Sequence, residues 1–308
     1  MANSLHNIAI IGAGLMGHGI ALSFARAGFE TRVHDPHAET LETLIARVTD
    51  SLLALGVAAE DTAGITARIS PCQSFEAAVS NADLVVEAAP EKLALKQEIF
   101  ARIEAAAPAH CLLASNTSVI PITSIMQGLS DRSRGLGTHW WNPPHMIPLV
   151  EVIRTEWTTD QAMDQMVSIL TQIGKTPVRV EKDVAGFIGN RLQHALWREA
   201  ISLVENGVCS AEAVDDVIKA SFGRRLAVLG PLENADLVGT DLTLDIHQNV
   251  LADLEASGAP SPLLESLVAE GKLGMKSGEG FRKWTPEAAA ATRSRVTTHL
   301  QKLGTILE

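Results

Sequence analysis

The densest run of chemistry-bearing residues is Gly137-Thr-His139-Trp-Trp-Asn142-Pro-Pro-His-Met-Ile-Pro-Leu-Val-Glu151-Val152. Gly135 to His139 reads as one strand and Leu149 to Ile153 as the next. Pro143-Pro144 can continue neither strand nor helix, so the chain must turn between them. The turn sets the strands side by side, with His139 near Glu151. A carboxylate flanked by Val150 and Val152 is costly to bury unless it is paired, and a histidine is the obvious partner. Such a pair fixes the imidazole tautomer and steadies the imidazolium formed when histidine takes a proton. A proton-accepting pair and a satisfied structural pair both answer to this spacing.

A second constellation opens the chain. Asn7 to Ile11 is a β-branched run that reads as a buried strand, followed by Gly12-Ala-Gly14-Leu-Met-Gly17 and a helical pattern through Ile20, Phe24 and Ala27, closed by Gly28. Strand, glycine turn and helix are the context that a dinucleotide site requires. Gly12 allows the tight turn, Gly14 lets the backbone approach a pyrophosphate, and Gly17 lets helix and strand pack closely. The helix N-terminus supplies N–H groups for the phosphates. Three glycines at this spacing are weak evidence alone. Phe29 to His34 strengthens them by reading as a second strand that ends at Asp35, near the expected distance for a carboxylate that binds the adenine-ribose hydroxyls. The same carboxylate would repel a 2′-phosphate, so the cofactor expected is NAD rather than NADP.

These residues need a scaffold. Further strands read at Leu84 to Ala88, His110 to Ala114 and Pro177 to Val180, with helices over Glu91 to Ala107 and about Asp160 to Ile173. Strands alternating with helices argue for a parallel sheet with crossovers. After Asp183, Ile188, Leu192, Ala195, Leu196, Leu203 and Val204 fall at helical spacing, and short helices follow. The fold class expected is α/β: a Rossmann-type domain over residues 1–184, then a mostly helical substrate and dimerisation domain over 185–308. The five tryptophans, Trp140, Trp141, Trp157, Trp197 and Trp284, read as packing residues. Ala288 to Ala291 reads as part of a helical tail.

Composition removes other classes. The chain has 308 residues, is 46% apolar, and carries 36 acidic against 25 basic side chains, a net charge of −11. That charge disfavours nucleic acid and anionic membrane surfaces as partners. Cys72, Cys111 and Cys209 are odd in number and widely spaced, which suits neither a disulfide framework nor a zinc site, and they read as buried, inert thiols in a reducing compartment. No metal site is expected. Leu5 to Leu22 is apolar and about as long as a membrane span, but Asn7, His18 and four glycines interrupt it and no cation precedes it. A cytoplasmic protein without a membrane segment is expected.

Several of these runs are recognisable together. Gly12 through Ala21, Ala114-Ser-Asn-Thr-Ser118, His139 through Val152, Asp183-Val-Ala-Gly-Phe-Ile-Gly-Asn190-Arg-Leu192, Gly230-Pro231 and Lys276-Ser-Gly-Glu-Gly-Phe281 resemble the 3-hydroxyacyl-CoA dehydrogenase family over nearly the whole chain. The resemblance implies that His139 is the catalytic histidine and Glu151 its partner, and that Ser118 and Asn190 hold the substrate oxygen, with Asn142 at the same site. It implies that Gly12, Gly14, Gly17 and Asp35 meet the adenine side of NAD. Glu91, Lys96 and Asn116 match positions near the nicotinamide ribose, and a homodimer is implied.

The chain departs from the acyl-CoA enzymes in its arm. Residues 36–66 carry one cation, Arg47, against Glu39, Glu42, Asp50, Glu60 and Asp61, a net charge of −4. A CoA pyrophosphate and 3′-phosphate call for cations. The segment Phe222-Gly-Arg224-Arg225 looks like the branch acting on free hydroxy acids, such as L-gulonate and carnitine dehydrogenases. Arg225 would there grip a carboxylate bidentately, or else lie in a solvated basic turn. The His139 segment also resembles a family member that oxidises a pyridine carboxylate in vitamin B6 degradation. Three substrates stay open: a small free hydroxy acid, a 3-hydroxyacyl-CoA ester and an aromatic carboxylate. A non-catalytic, crystallin-like protein is a fourth reading.

Overall fold

The computed structural model describes residues 6 to 307, so Leu5, where the apolar stretch begins, lies outside them. The chain forms two compact units. One reaches to Arg191 and takes in the chain from Leu300 onward, and the other is Leu192–His299.

The first unit is built on strands β1 (Asn7–Ile11), β2 (Glu30–His34), β3 (Ile69–Cys72), β4 (Leu84–Glu87), β5 (Leu112–Ser115), β6 (Gly135–Trp140), β7 (Leu149–Ile153) and β8 (Thr176–Val180). Between them run helices α1 (Leu15–Arg26), α2 (Ala38–Glu42), α3 (Leu44–Ala54), α4 (Ala59–Thr66), α5 (Phe75–Val79), α6 (Leu93–Ala106), α7 (Ile122–Met126) and α8 (Asp160–Gln172). The strands form one sheet in the order β3-β2-β1-β4-β5-β6-β7-β8. All neighbours are parallel except β6 and β7, which are antiparallel. The order reverses between β1 and β4, and the crevice at the carboxyl ends of those strands is where α/β sheets of this kind bind ligands.

Side chains alternate across a strand, so β1 feeds two cores. Ile8 and Ile10 pack with Phe24, Val33 and Leu52 on one face, while Ala9 and Ile11 pack with Phe100, Ile103 and Leu113 on the other. Helices cover both faces, which is why the central strands read as unbroken apolar runs. The strands expected from sequence differ from the observed ones only at their ends. β3 had no clear strand signal because it is four residues long and contains Pro71. It survives as an edge strand, where a missing N–H is tolerated, and Pro177 sits in β8 at the other edge.

The second unit contains the rest of α9 (Gly189–Glu205), with α10 (Ala211–Ala220), α11 (Pro231–Val238), α12 (Thr240–Val250), α13 (Pro262–Ala269) and the first part of α14 (Pro286–Leu307). Ser210 and Ser261 cap α10 and α13 by accepting the N–H groups of Ala213 and Leu264. Arg282 ties the unit internally, with Nη1 2.9 Å from Asp215 and Nε 3.3 Å from Glu212. Residues 185–191 group with the first unit, a little beyond the break expected at 184/185. Their N–H groups and Asn190 are bonded to residues of the sheet domain.

Two packing expectations need correction. Cys111 is buried, and burial pushes its thiol up to about 12, but Cys72 and Cys209 are only partly buried. Trp140 lies in the core as expected, whereas Trp197 is half exposed. Trp197 lines an open, largely apolar pocket of about 650 Å³ in the second unit, with Ile201, Val204, Leu264 and Phe281. No helix among the described residues is long and apolar enough to cross a membrane.

Candidate active site

The glycine turn follows β1 directly. Gly12 has φ +102°, and a Cβ there would lie 2.7 Å from the Ala88 carbonyl oxygen. A Cβ on Gly17 would lie 1.7 Å from the Gly12 carbonyl oxygen, so both positions need glycine. Gly14 differs: a Cβ would meet nothing within 4 Å. Gly14 is the N-cap of α1, with no side-chain cap and no acidic residue in the first turn. The uncapped N–H groups of α1 therefore stand at open space, the arrangement that suits a pyrophosphate. Asp35 Oδ2 accepts the Ala13 N–H at 2.8 Å and Oδ1 accepts the His37 N–H at 2.9 Å. The carboxylate thus pins the turn to the end of β2. Its remaining lone pairs can take ribose hydroxyls, so the residues present fit NAD.

Across the switch point, β4 ends at Glu87 and β5 at Ser115. Glu87 is fully buried and accepts from Lys96 Nζ at 2.7 Å and Ser115 Oγ at 2.6 Å. Lys96 is as buried as its partner and lies 3.7 Å from Glu91. Glu91 accepts from the Thr117 hydroxyl at 2.8 Å and from the Ser118 N–H. Asn116 Oδ1 accepts the Trp140 N–H at 3.0 Å, which ties this turn to the end of β6. Glu91, Lys96, Asn116 and Ser118 therefore form one connected group. Glu87, at its centre, was missed from sequence because it reads only as one residue of the apolar strand expected over Leu84 to Ala88.

His139 and Glu151 face each other directly in the β6–β7 ladder. His139 Nδ1 lies 2.7 Å from Glu151 Oε2, and both side chains are buried. The other carboxylate oxygen, Oε1, accepts the N–H of Ile188 at 2.8 Å and of Gly189 at 3.0 Å. Burial opposes ionisation of Glu151. The hydrogen bonds from His139, Gly189 and Ile188 outweigh it and hold the carboxyl below its ordinary pKa. With Nδ1 committed to Glu151, Nε2 is the nitrogen left to accept a proton.

The start of α9 completes this geometry. Phe187 is a buried non-glycine residue at φ +50°, a conformation that costs about 1 kcal/mol or more. Its ring centroid lies 5.6 Å from that of His139, and Trp141 lies 5.3 Å away. Asn190, in the first turn of α9, donates through Nδ2 to the Ser118 carbonyl oxygen at 2.9 Å. The structure thus brings Ser118 and Asn190 together through a backbone bond, leaving a second amide N–H on Asn190. Asn142 lies exposed just after Trp141. Arg225 closes the 3₁₀ turn Phe222–Arg224 in the second unit, its N–H bonded to the Phe222 carbonyl oxygen at 3.1 Å.

The whole chain matches known proteins. Residues 7–184 match the model of the 3-hydroxyacyl-CoA dehydrogenase NAD binding domain, and residues 186–284 match that of the family's C-terminal domain. The 5-formyl-3-hydroxy-2-methylpyridine 4-carboxylate 5-dehydrogenase of Mesorhizobium japonicum is 36% identical over 307 residues, covering 99% of each chain. A probable 3-hydroxybutyryl-CoA dehydrogenase of Bacillus subtilis is 37% identical over 90% of this chain and 96% of its own. A crystal structure described as that of an NAD⁺-dependent dismutase, the dehydrogenase of the same pyridine carboxylate, superposes with a TM-score of 0.92 over 98% of both chains at 36% identity. The chain belongs to the 3-hydroxyacyl-CoA dehydrogenase family, and its first domain binds NAD.

Proposed function

We propose that the protein is an NAD-dependent dehydrogenase that oxidises the secondary hydroxyl of a small hydroxy acid to a ketone, without a CoA carrier. The observation that carries this reading is the acidic arm: α2, α3 and α4 present one cation against five carboxylates where a CoA ester would need positive charge. His139 acts as general base through Nε2, while Glu151 holds its tautomer and balances the imidazolium. Asn190 and Ser118 donate to the oxygen as it becomes a carbonyl, or to the alkoxide in the reverse direction. Bound NAD would supply the hydride acceptor, while His139 takes the proton from the hydroxyl oxygen on the same carbon. Glu91, Lys96 and Asn116 lie along the nicotinamide ribose, Asp35 meets the adenine ribose, and Asn142 and Arg225 contact substrate. Residues 1–184 form the NAD-binding domain and 185–308 the substrate and dimerisation domain.

A second reading within the same class is an aromatic carboxylate bearing an alcohol or aldehyde. The end-to-end match to the pyridine carboxylate enzyme favours it, as does the Trp141 indole tilted against His139. Steady-state assays with NAD decide among the candidates, using a panel of free hydroxy acids, pyridine carboxylates and 3-hydroxybutyryl-CoA. The free acids or pyridine carboxylates are expected to exceed the CoA ester in kcat/KM by about 10²-fold or more. A CoA ester turned over with no activity on free acids sinks the proposal. On the best acid, Arg225→Ala should raise KM about tenfold with little change in kcat. NADP should be the poorer cofactor, because Asp35 faces its 2′-phosphate.

The active form is proposed to be a homodimer joined through the helical unit, in a cytoplasmic setting. No residue of α9 to α13 is buried in the single chain. Leu232, Leu237 and Val217 are 81%, 72% and 62% exposed. Apolar exposure on this scale marks an interface. Sedimentation velocity at micromolar concentration is expected to give twice the chain mass of 32.8 kDa. A monomer under those conditions refutes the dimer.

A further inference from the structure

Among the described residues the most deeply buried ion pair is Glu87 with Lys96, whose side chains are 0% and 1% exposed at 2.7 Å separation. Every polar atom of the pair is occupied. Glu87 Oε1 also accepts the Ala89 N–H at 2.7 Å, Oε2 accepts Ser115 Oγ at 2.6 Å, and Lys96 Nζ donates to the Ala89 carbonyl oxygen at 3.1 Å. A buried ion pair is a poor source of stability, since apolar residues of the same volume do as well or better. Its value must lie in what it holds in place.

What it holds is a line of groups across the switch point. Glu87 stands beside Ile11 of β1 and Ser115 of β5 in the sheet register, one residue from the glycine turn. Its backbone oxygen accepts the Asn116 N–H at 2.7 Å. Its side chain fixes Lys96, which faces Glu91 at 3.7 Å. Glu91 in turn takes the Thr117 hydroxyl and the Ser118 N–H. Glu91 is partly exposed, with a side-chain accessibility of 38%, so it is the end of the line that can meet a ligand.

We propose that Glu87 is a positioning residue for the nicotinamide half of the cofactor site, acting through Lys96 on Glu91 and so on the Thr117–Ser118 turn. The inference rests on the placing of Glu91, Lys96 and Asn116 beside the nicotinamide ribose. Losing the Glu87 charge turns Lys96 toward Glu91 and draws that carboxylate away from Ser118. The adenine half, held by the glycine turn and Asp35, is untouched.

The test uses NADH fluorescence titration, with ADP as a ligand that carries only the adenine half. Glu87→Gln is expected to raise the NADH Kd about tenfold while ADP stays within about twofold. Glu91→Gln should raise the NADH Kd about tenfold in the parent and less than about twofold on the Glu87→Gln background, because both act along one line. If a lone buried Lys96 prevents Glu87→Gln from folding, Glu87→Asp keeps the charge that pairs Lys96 but withdraws the carboxylate by one methylene, and it carries the same expectations in direction. A parent-like NADH Kd overturns the proposal. So does an equal loss of ADP affinity, or an undiminished effect of Glu91→Gln. Since neither titration involves a substrate, failure of the hydroxy-acid reading leaves this result standing by itself.

Discussion

His139→Gln will bind NADH with a Kd within about twofold of the parent and lose about 10³-fold in kcat, some 4 kcal/mol of transition-state stabilisation. Glutamine fills much of the imidazole volume and can still donate to Glu151 Oε2, so the buried carboxylate keeps a partner. What glutamine lacks is a nitrogen that accepts a proton. Glu151→Gln should fall by a similar factor for a different reason. One carboxylate oxygen receives His139 Nδ1 and the other receives two backbone N–H groups. An amide has one oxygen, so its NH₂ must confront either the imidazole or the N–H groups at the start of α9. The tautomer is then lost or the helix start is displaced. Because the two residues work as a unit, the double variant should be little worse than the worse single one. Stopped-flow hydride transfer with the best acid substrate reads all three. Full kcat in His139→Gln removes the general base, and strictly additive losses remove the coupling.

Much of this pair was legible in sequence. Two prolines force a turn, two strands flank it, and a carboxylate inside Val-Glu-Val needs a partner, so His139 and Glu151 had to meet. The register that places them directly opposite follows from the length of the loop. The glycine turn was legible for a similar reason, since Gly12 and Gly17 answer steric demands that the fold makes visible at Ala88 and Gly12. Glu87 was hidden because period and propensity describe a strand by its apolar residues, and nothing local marks its last carboxylate as paired with a lysine nine positions on. The second hold on Glu151 was hidden for a longer-range reason. Ile188 and Gly189 reach it from 37 and 38 residues away, through a helix start that only the fold can place.

That helix start also explains why the twin tryptophans are not equivalent. Trp140 points into the core beside Phe24, with ring centroids 6.0 Å apart. The next residue in β-geometry points the other way, so Trp141 leaves the core and stands beside His139. A tryptophan there needs room, and Gly189 supplies it.

Gly189→Ala is therefore expected to lower kcat/KM about 10²-fold with NADH affinity unchanged within about twofold. A Cβ at this position would lie 2.4 Å from Trp141 Cζ2 and 3.2 Å from Cε2. Both atoms belong to a rigid indole, so the contact cannot be relieved by turning a flexible chain end. Either Trp141 moves off His139, or the first turn of α9 backs away and stretches the Gly189 and Ile188 bonds to Glu151. Both escapes act on the same imidazole. In the first it loses the ring that shapes its surroundings, and in the second its carboxylate partner loses part of its support and becomes easier to protonate. The two are separable, because only the second shifts the acid limb of the kcat/KM profile toward neutral pH. Relieving the clash from the other side distinguishes strain from some general defect. Trp141→Phe shortens the indole to a ring that no longer reaches the new methyl, so Gly189→Ala should cost less than about threefold on that background. An undiminished loss in the double variant means that the glycine is needed for its backbone and not for the space it leaves to Trp141.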